Sequence, residues 1–282
     1  MAVKFYTLKD GTKLCYKDTG EGRPVVFVHG WGEHKEQWEA YEPAVSGAGF
    51  RYIMMDQRGT KETGESMTRP VNIDLLVDDL QDLIVGIGLK DVTLVGHSMG
   101  VQIVLKYVGK FGNDLLHSIV LNDCPPRQCT AEGWDYAIWD NTFTVEQAYA
   151  DSDWMIRDMM DYLRNWIKGS NPDIAKAEDP EAAAEQWAQQ YYDGFWPEEQ
   201  KELYRSLAEV DNRENVEKIK VPTAYYYPDP GAICKRDLWT WYRDHVHAPF
   251  RAQAFDSKDH FFCISDRQTE TIAALLEFLK EV

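Results

Sequence analysis

Short β-branched segments alternate with longer amphipathic segments along much of this chain. Pro24–Val28 is one such short run, and residues 72–87 have the pattern of an amphipathic helix. The apolar residues at helical spacing in 72–87 are Ile73, Leu76, Val77, Leu80, Leu83 and Ile84. Strands that are apolar on both faces are typical of parallel sheets covered by helices on both sides. The alternation therefore predicts an α/β fold with a mostly parallel, doubly wound sheet.

The same patterns predict further elements. Lys4–Leu8 and Lys13–Asp18 flank Asp10-Gly11 and should form a hairpin. The other predicted strands are, in chain order, Pro24–Val28, Arg51–Met55, Asp91–Val95, His117–Leu121, Thr223–Tyr227 and Phe250–Phe255. The other predicted helices are Val101–Val108 and Thr269–Glu281.

The alternation stops near Pro125-Pro126 and resumes at Val221-Pro222. We therefore expect a core formed by residues 1–126 and 216–282, with a helical cap at 127–215. This insert has eight basic and twenty acidic residues, so it carries −12 of the total charge of −17. Six of the ten tryptophans lie in it: Trp134, Trp139, Trp154, Trp166, Trp187 and Trp196. We expect most of them to pack the insert on the core and a minority to wall a pocket.

Composition excludes several classes of protein. A net charge of −17 would repel nucleic acid and anionic lipid. Apolar runs such as Val25–Val28 are far shorter than the roughly 20 residues of a membrane helix. The five cysteines lack CxxC spacing, and because the first residues have neither the apolar stretch nor the cleavage site of a signal peptide, we expect none. We expect a cytoplasmic protein that acts on a small molecule without a metal or other cofactor.

The strongest motif is Gly96-His97-Ser98-Met99-Gly100, which lies between a predicted strand and a predicted helix. This is the G-x-S-x-G nucleophile elbow in its required context. Side chains two positions from the serine would collide with the strand or the helix, so glycine is needed there. We expect the turn to raise the Ser98 hydroxyl above the sheet at a helix N-terminus, where the helix dipole favours negative charge.

A second glycine-containing turn, His29-Gly30-Trp31-Gly32, follows a central strand. Acyl transfer requires two backbone N–H donors directed at the oxyanion. We expect the amide of Met99 to supply one donor and the amide of Trp31 to supply the other.

His260 is the predicted general base. It follows the last predicted strand and precedes the final helix, which puts it at the edge of the sheet where Ser98 emerges. We expect His29 and His97, which belong to the two turns, to serve packing or loop hydrogen bonds instead.

Two aspartates are candidates for the carboxylate that orients His260. Asp123 follows the strand His117–Leu121, from which a carboxylate can reach the imidazole because adjacent strands are about 5 Å apart. Asp229 lies in Pro228-Asp229-Pro230-Gly231, between two prolines that limit its reach. We favour Asp123 and keep Asp229 as the alternative.

Together these motifs resemble the α/β-hydrolase superfamily over essentially the full chain. They are His29-Gly30-Trp31-Gly32, Asp56-Gln57-Arg58-Gly59, Gly96 to Gly100 and Asp259-His260. The resemblance implies the α/β-hydrolase fold, a Ser–His–acid triad and a helical cap after the sixth strand. The chain departs from the common D-x-R-G-x-G-x-S pattern, because three extra residues precede Gly64-Glu65-Ser66. The position of the candidate triad acid also differs, because family members more often place this carboxylate after the strand corresponding to Thr223–Tyr227.

We therefore expect a hydrolase of small, largely apolar esters or lactones, with Ser98 as nucleophile, His260 as base and Asp123 as acid. Cofactor-free dioxygenases that cleave 3-hydroxy-4-quinolone-type rings also resemble this chain. They share its Gly-Trp turn and an acid after the sixth strand, although their elbow often has histidine where Met99 stands. This dioxygenase activity, which would use the His260–Asp123 dyad, is the alternative. A non-catalytic binding module is a third possibility, but it would not need Ser98 and His260 together.

Overall fold

The computed structural model describes residues 3–192 and 197–282. Its centre is a single sheet whose eight strands are, in chain order, β1 (Lys4–Thr7), β2 (Lys13–Thr19), β3 (Pro24–Val28), β4 (Arg51–Met55), β5 (Val92–His97), β6 (Leu116–Asn122), β7 (Thr223–Pro230) and β8 (Phe250–Ser257). They are arranged in the order β1-β2-β4-β3-β5-β6-β7-β8. β2 is antiparallel to β1 and β4, and all other neighbouring strands are parallel. The predicted α/β class with a mostly parallel sheet is confirmed.

Twelve helices are described. They are α1 (Glu42–Gly47), α2 (Ile73–Gly86), α3 (Met99–Phe111), α4 (Ile138–Asn141), α5 (Val145–Arg157), α6 (Met159–Ser170), α7 (Pro172–Ala175), α8 (Pro180–Tyr192), α9 (Pro197–Glu209), α10 (Arg213–Val216), α11 (Leu238–His245) and α12 (Gln268–Glu281). Two 3-10 helices, Lys35–Tyr41 and Lys61–Thr63, complete the set. Within the described ranges, none of these helices combines the length and the apolar character needed to cross a bilayer.

Each predicted strand is present, with small differences at the ends. The strand that leads into the elbow continues to His97, and the helix after it begins at Met99. Helix α11 was not predicted. It forms because Leu238 and Tyr242, one turn apart, pack into the core, and the Tyr242 hydroxyl donates to the carbonyl oxygen of Cys124 at 2.8 Å.

The sheet has an apolar core on each face, as the pattern of β3 shows. Val26 and Val28 point towards the core that contains helices α2 and α3. Val25 and Phe27 point towards a second core, to which α12 contributes Phe278. β3 is therefore buried on both faces, which explains why its sequence is apolar throughout.

Helices α4 to α10 lie between β6 and β7 in sequence, where the cap was predicted. α9 contacts the loop after β3: the indole Nε1 of Trp31 donates to the carbonyl oxygen of Gln200 at 2.8 Å. The Gln200 side-chain amide donates in turn to the Gly59 carbonyl oxygen at 2.8 Å. The limits of 127 and 215 for a separate cap remain a prediction, and Trp196 lies outside the described residues.

The loop after β4 is held by a buried arginine. Arg58 is 2% exposed, and its guanidinium forms two hydrogen bonds with the carboxylate of Asp79 on α2, at 2.5 and 2.7 Å. It also donates to the hydroxyls of Thr12, at 2.8 Å, and Ser66, at 3.0 Å. The side chain of Arg58 thereby joins the loop after β4 to the hairpin loop and to α2.

We expect Arg58→Met to lower the free energy of unfolding by about 3–5 kcal/mol, because it leaves the Asp79 carboxylate buried without its counter-charge. Urea unfolding monitored by circular dichroism measures this change. The control is Arg236→Met, which breaks an exposed ion pair with Asp229 and should cost about 1 kcal/mol or less. Equal losses in the two variants would contradict the assigned role of Arg58.

Candidate active site

Ser98 occupies the sharp turn between β5 and α3. Its φ of 53° is in the left-handed region, which is unfavourable for a residue with a side chain. The two elbow glycines make this turn possible. A Cβ at Gly96 would lie 2.7 Å from backbone atoms of Gly100, and a Cβ at Gly100 would lie 2.1 Å from the carbonyl oxygen of Val28. The structure therefore supports the prediction that a side chain at either position would collide with the backbone around the elbow.

His260 and Asp123 form a buried pair. The imidazole Nδ1 of His260 lies 2.8 Å from Oδ2 of Asp123, and both residues are 1% exposed. Asp123 immediately follows β6, and its φ of 43° is also left-handed. A carboxylate that accepts from Nδ1 fixes the tautomer in which Nε2 is unprotonated and can accept a proton.

The alternative acid, Asp229, is located elsewhere. It lies within β7, where its carboxylate pairs with the guanidinium of Arg236 at 2.9 Å. Among the described residues, it makes no hydrogen bond to His260. The structure thus brings Asp123, not Asp229, to the imidazole, as the sequence favoured.

Ser98 and His260 line the same cavity, which has a free volume of about 40 Å³. No direct hydrogen bond joins the Ser98 hydroxyl to the His260 imidazole in the described structure. In enzymes without a bound substrate, such contacts are often long and tighten in the complex. The cavity is otherwise lined mostly by apolar and aromatic side chains, including Trp139 and Trp166 of the insert. Two of the five described tryptophans of the insert thus line this cavity.

Of the two predicted oxyanion donors, Trp31 lines this cavity and Met99 directly follows Ser98, which lines it. Met99 is the first residue of α3, and the first N–H groups of a helix have no carbonyl partner within it. Trp31 lines the cavity, and the amides on either side of it are hydrogen-bonded: that of Gly30 to Glu33 Oε2 at 2.7 Å and that of Gly32 to Gln200 Oε1 at 3.3 Å. The positions of Trp31 and Met99 are compatible with the predicted oxyanion hole.

A buried ion pair lies beside His260, and one of its members, Glu33, also lines the cavity that contains Ser98. The imidazole Nδ1 of His97 lies 2.6 Å from Oε1 of Glu33, and these residues are 0% and 1% exposed. The other ring nitrogen of His97, Nε2, lies 3.0 Å from the carbonyl oxygen of His260. The pair therefore connects the loop after β3 with the loop that carries the candidate base.

The charges of this pair stabilise each other. Burial by itself lowers the pKa of His97, but the Glu33 carboxylate outweighs that effect, and the pKa of His97 is raised. Burial by itself raises the pKa of Glu33, but His97 outweighs it, and the pKa of Glu33 is lowered. Both shifts favour the charged forms, in which His97 and Glu33 form an ion pair and Nε2 of His97 donates to the carbonyl oxygen of His260.

His29 differs from His97 although both are buried. Its Nε2 accepts from the amide of Gln57 at 3.0 Å, and its Nδ1 lies 2.8 Å from the carbonyl oxygen of Gly30. Burial lowers the pKa of His29 to about 4, so its imidazole is neutral near pH 7. His29 and His97 both make loop hydrogen bonds, as predicted.

Glu33 was not identified from the sequence. One signal could have indicated it: a carboxylate stands three residues after Gly30, at the end of an apolar strand, where burial is expected. The structure adds a steric relation, because a Cβ at Gly30 would lie 2.5 Å from Oε1 of Glu33. Glycine at position 30 therefore makes room for the Glu33 carboxylate.

One group of possible metal ligands occurs among the described residues: Cys15, Asp56 and Glu62. The ammonium group of Lys35 already forms ion pairs with both carboxylates. Nζ of this fully buried lysine lies 2.6 Å from Oδ2 of Asp56 and 2.6 Å from Oε2 of Glu62. A metal ion would have to displace that ammonium. The donor set therefore fits a structural ion pair better than a metal centre.

Comparisons with known proteins agree with this architecture. A family model for the alpha/beta hydrolase fold matches residues 23–152, a range that includes Ser98 and Asp123 but not His260. An esterase from Exiguobacterium antarcticum has a similar structure, with a TM-score of 0.83 at 23% identity, covering 98% of both chains.

Two curated relatives match the chain over shorter ranges. Non-heme chloroperoxidase CPO-A1 from Kitasatospora aureofaciens is 43% identical over 124 residues, which is 43% of this chain and 43% of that protein. The bifunctional esterase/perhydrolase DCH from Acinetobacter calcoaceticus is 30% identical over 131 residues, which is 45% of this chain and 47% of that protein. The chain thus spans less than half the length of these curated relatives. The family model, the sheet order and the structural similarity agree, and the chain has the α/β-hydrolase fold.

Proposed function

We propose that this protein is a serine hydrolase of small, largely apolar esters or lactones, with Ser98, His260 and Asp123 as its catalytic triad. One observation carries the proposal: the buried 2.8 Å contact between His260 Nδ1 and Asp123, at a cavity that Ser98 also lines. The relatives named as an esterase/perhydrolase and as a chloroperoxidase support an enzyme of this general kind.

In the first half of the reaction, the Ser98 hydroxyl attacks the substrate carbonyl carbon as its proton passes to Nε2 of His260. The resulting tetrahedral intermediate carries its negative charge on the former carbonyl oxygen. It collapses to an acyl-serine when the alcohol oxygen leaves with the proton from His260. Water then attacks the acyl group by the same route, which releases the acid and restores Ser98.

Asp123 and the backbone lower the barrier in different ways. The Asp123 carboxylate holds the correct imidazole tautomer and stabilises the imidazolium that forms during the attack. The amides of Met99 and Trp31 stabilise the oxyanion, and such a donor typically contributes about 3–4 kcal/mol. The helical insert acts as a cap, whose indoles exclude water from the reacting groups.

The cavity favours a small acyl group. Only about 40 Å³ of this cavity is open to the centres of water-sized groups, which leaves little room around Ser98. A short acyl chain fits this space better than a long one. We therefore assign the preferred acyl group to the acetyl size class, with the rest of the substrate extending beneath the insert.

We expect Ser98→Ala to reduce kcat for p-nitrophenyl acetate at least about 1,000-fold, because no acyl-serine can form. Initial-rate assays with the purified variant measure this loss. An unchanged circular dichroism spectrum and melting temperature serve as the control for folding. Full hydrolysis by Ser98→Ala would refute the proposed nucleophile.

The same variant separates hydrolysis from the dioxygenase alternative. Ring cleavage of a 3-hydroxy-4-quinolone would consume oxygen and release carbon monoxide, and it would depend on His260 far more than on Ser98. Oxygen uptake that survives Ser98→Ala and disappears in His260→Ala would favour the dioxygenase.

The two acids form a matched pair of variants. Asp123→Asn should lower kcat about 10,000-fold, since an amide next to Nδ1 favours the wrong imidazole tautomer. Asp229→Asn removes the same charge from an exposed ion pair with Arg236 and should leave kcat within about twofold. The kcat values of both variants with p-nitrophenyl acetate decide which aspartate is the triad acid. A larger loss in Asp229→Asn than in Asp123→Asn would make Asp229 the acid.

Glu33 is proposed as a positioning residue for His260, through His97. We expect Glu33→Gln to lower kcat about tenfold with little change in KM, because a loosened imidazole loses its alignment. Its effect on stability should depend on pH. The pKa of Glu33 is lowered and that of His97 is raised, so the pair stabilises the fold fully between about pH 4.5 and 6.5, the ordinary pKa values of the two groups.

The stabilisation by the pair is lost as the pH falls through the lowered pKa of Glu33 or rises through the raised pKa of His97. The difference in melting temperature between the unmodified protein and Glu33→Gln should thus be largest near pH 5.5 and should shrink at alkaline pH. A difference that stays constant from pH 5 to 10 would show that the pair is not ionised.

A further inference from the structure

A second cavity lies in the insert, next to the cavity that contains Ser98. It is open, has a volume of about 540 Å³, and is lined by residues from α4 to α6. We call it the insert cleft. Its aromatic lining residues are Trp139, Phe143, Trp154, Tyr162 and Trp166.

The aromatic rings of the insert cleft are held by specific contacts. The indole Nε1 of Trp154 donates to the Asp161 carboxylate at 3.0 Å, and its ring packs edge-on against Tyr162 with centroids 5.6 Å apart. The ring of Trp166 stacks on that of Trp187 with centroids 5.7 Å apart. The cleft therefore presents fixed aromatic walls.

Asp151 is the one charged residue among the described residues that line the insert cleft. Its half-buried carboxylate accepts hydrogen bonds from the side-chain amide of Gln147 at 3.0 Å and from the Tyr204 hydroxyl at 3.3 Å. Within the part of the chain that the structure describes, no lysine or arginine pairs with it. Burial raises the pKa of Asp151, which reflects a carboxylate without a nearby cation.

Asp153 lies two residues further along α5, and its carboxylate differs from that of Asp151 in exposure and in partner. Its carboxylate is exposed and pairs with the guanidinium of Arg205 at 2.5 Å. The negative charge of Asp153 is thus compensated outside the insert cleft, whereas that of Asp151 faces an aromatic cavity.

The insert cleft and the catalytic cavity share a wall. Trp139 and Trp166 line both cavities, and Tyr204, whose hydroxyl donates to Asp151, lines the catalytic cavity. The backbone at Trp139 has a left-handed φ of 56°, and its amide is fixed by a hydrogen bond to the carbonyl oxygen of Ile233 at 2.9 Å. The two cavities are therefore adjacent at these two indoles.

We propose that the insert cleft binds an organic cation, with a quaternary or tertiary ammonium group between the aromatic rings and Asp151. Aromatic faces attract cations through their quadrupole, most strongly where water is displaced. A neutral ligand without a hydrogen-bond donor would desolvate the Asp151 carboxylate without supplying a partner. A small metal ion requires several oxygen ligands, which these aromatic walls do not supply.

The net charge of the whole insert also favours the binding of a cation. With eight basic and twenty acidic residues between positions 127 and 215, the insert carries a net charge of −12, which attracts cations. The field of such a charge increases the local concentration of cations and their association rate.

This site also defines a substrate class, an inference that rests on the proposed hydrolase function. The preferred substrate is an ester with a short acyl group next to Ser98 and an alcohol that carries an ammonium group in the insert cleft.

Binding can be measured without catalysis. We expect the Ser98→Ala protein to bind benzyltrimethylammonium in isothermal titration calorimetry, and the added substitution Asp151→Asn to weaken the affinity about tenfold. Asn keeps the size of the side chain and an oxygen that can accept from Tyr204. Asp153→Asn, which removes the same charge outside the cleft, should change the affinity less than about twofold. Absence of binding, or equal weakening by both substitutions, would overturn the proposed cation site.

The substrate class has its own test in the unmodified protein. The acetate ester of 2-(trimethylammonio)ethanol and 3,3-dimethylbutyl acetate have the same shape and differ by a positive nitrogen in place of carbon. We expect kcat/KM to favour the charged ester about tenfold, and Asp151→Asn to reduce this ratio several-fold, with the aromatic rings supplying the rest of the preference. A ratio near one in the unmodified protein would refute the substrate class. If benzyltrimethylammonium binds but neither these esters nor p-nitrophenyl acetate is hydrolysed, the cation site stands and the proposed hydrolase function fails.

Discussion

The hydrogen bond between His260 and Asp123 is the interaction on which the candidate site depends. Both groups are nearly fully buried, so each would be costly to place there without the other. The two residues are 137 positions apart in sequence. The parallel sheet brings them together because the tip of β6 and the loop after β8 meet at the same edge.

The sheet also supports the backbone strain at this edge. Ser98 and Asp123 both have left-handed φ angles, a conformation that costs about 1–3 kcal/mol per residue where it is sparsely populated. Each is held by the neighbouring strand: the amide of Ser98 donates to the carbonyl oxygen of Asn122 at 3.2 Å, and that of Asp123 to Tyr226 at 2.9 Å. The Asn122 side chain adds a bond to the Gly96 carbonyl oxygen at 2.8 Å. Strain at the two residues is thus offset by hydrogen bonds within the sheet.

Next to this edge of the sheet, buried ion pairs fix the positions of several loops. The Glu33–His97 pair joins the loop after β3 to the loop of His260, and Lys35 and Arg58 hold the adjacent loops through buried carboxylates. Buried ion pairs add little net stability compared with apolar packing, but loss of one partner is costly. They therefore suit a region where the geometry of several loops must be kept.

The sequence by itself determined the α/β class, the strands of the sheet and the elbow with its two glycines, because these depend on local patterns and local sterics. It also favoured Asp123 over Asp229, since the restriction of Asp229 by its flanking prolines is a local effect. Only the tertiary structure decided which carboxylate contacts His260, that Glu33 pairs with His97, and that Asp151 faces an aromatic cleft. These contacts join residues far apart in the chain, so their geometry depends on how strands and helices pack and not on the composition of any one segment.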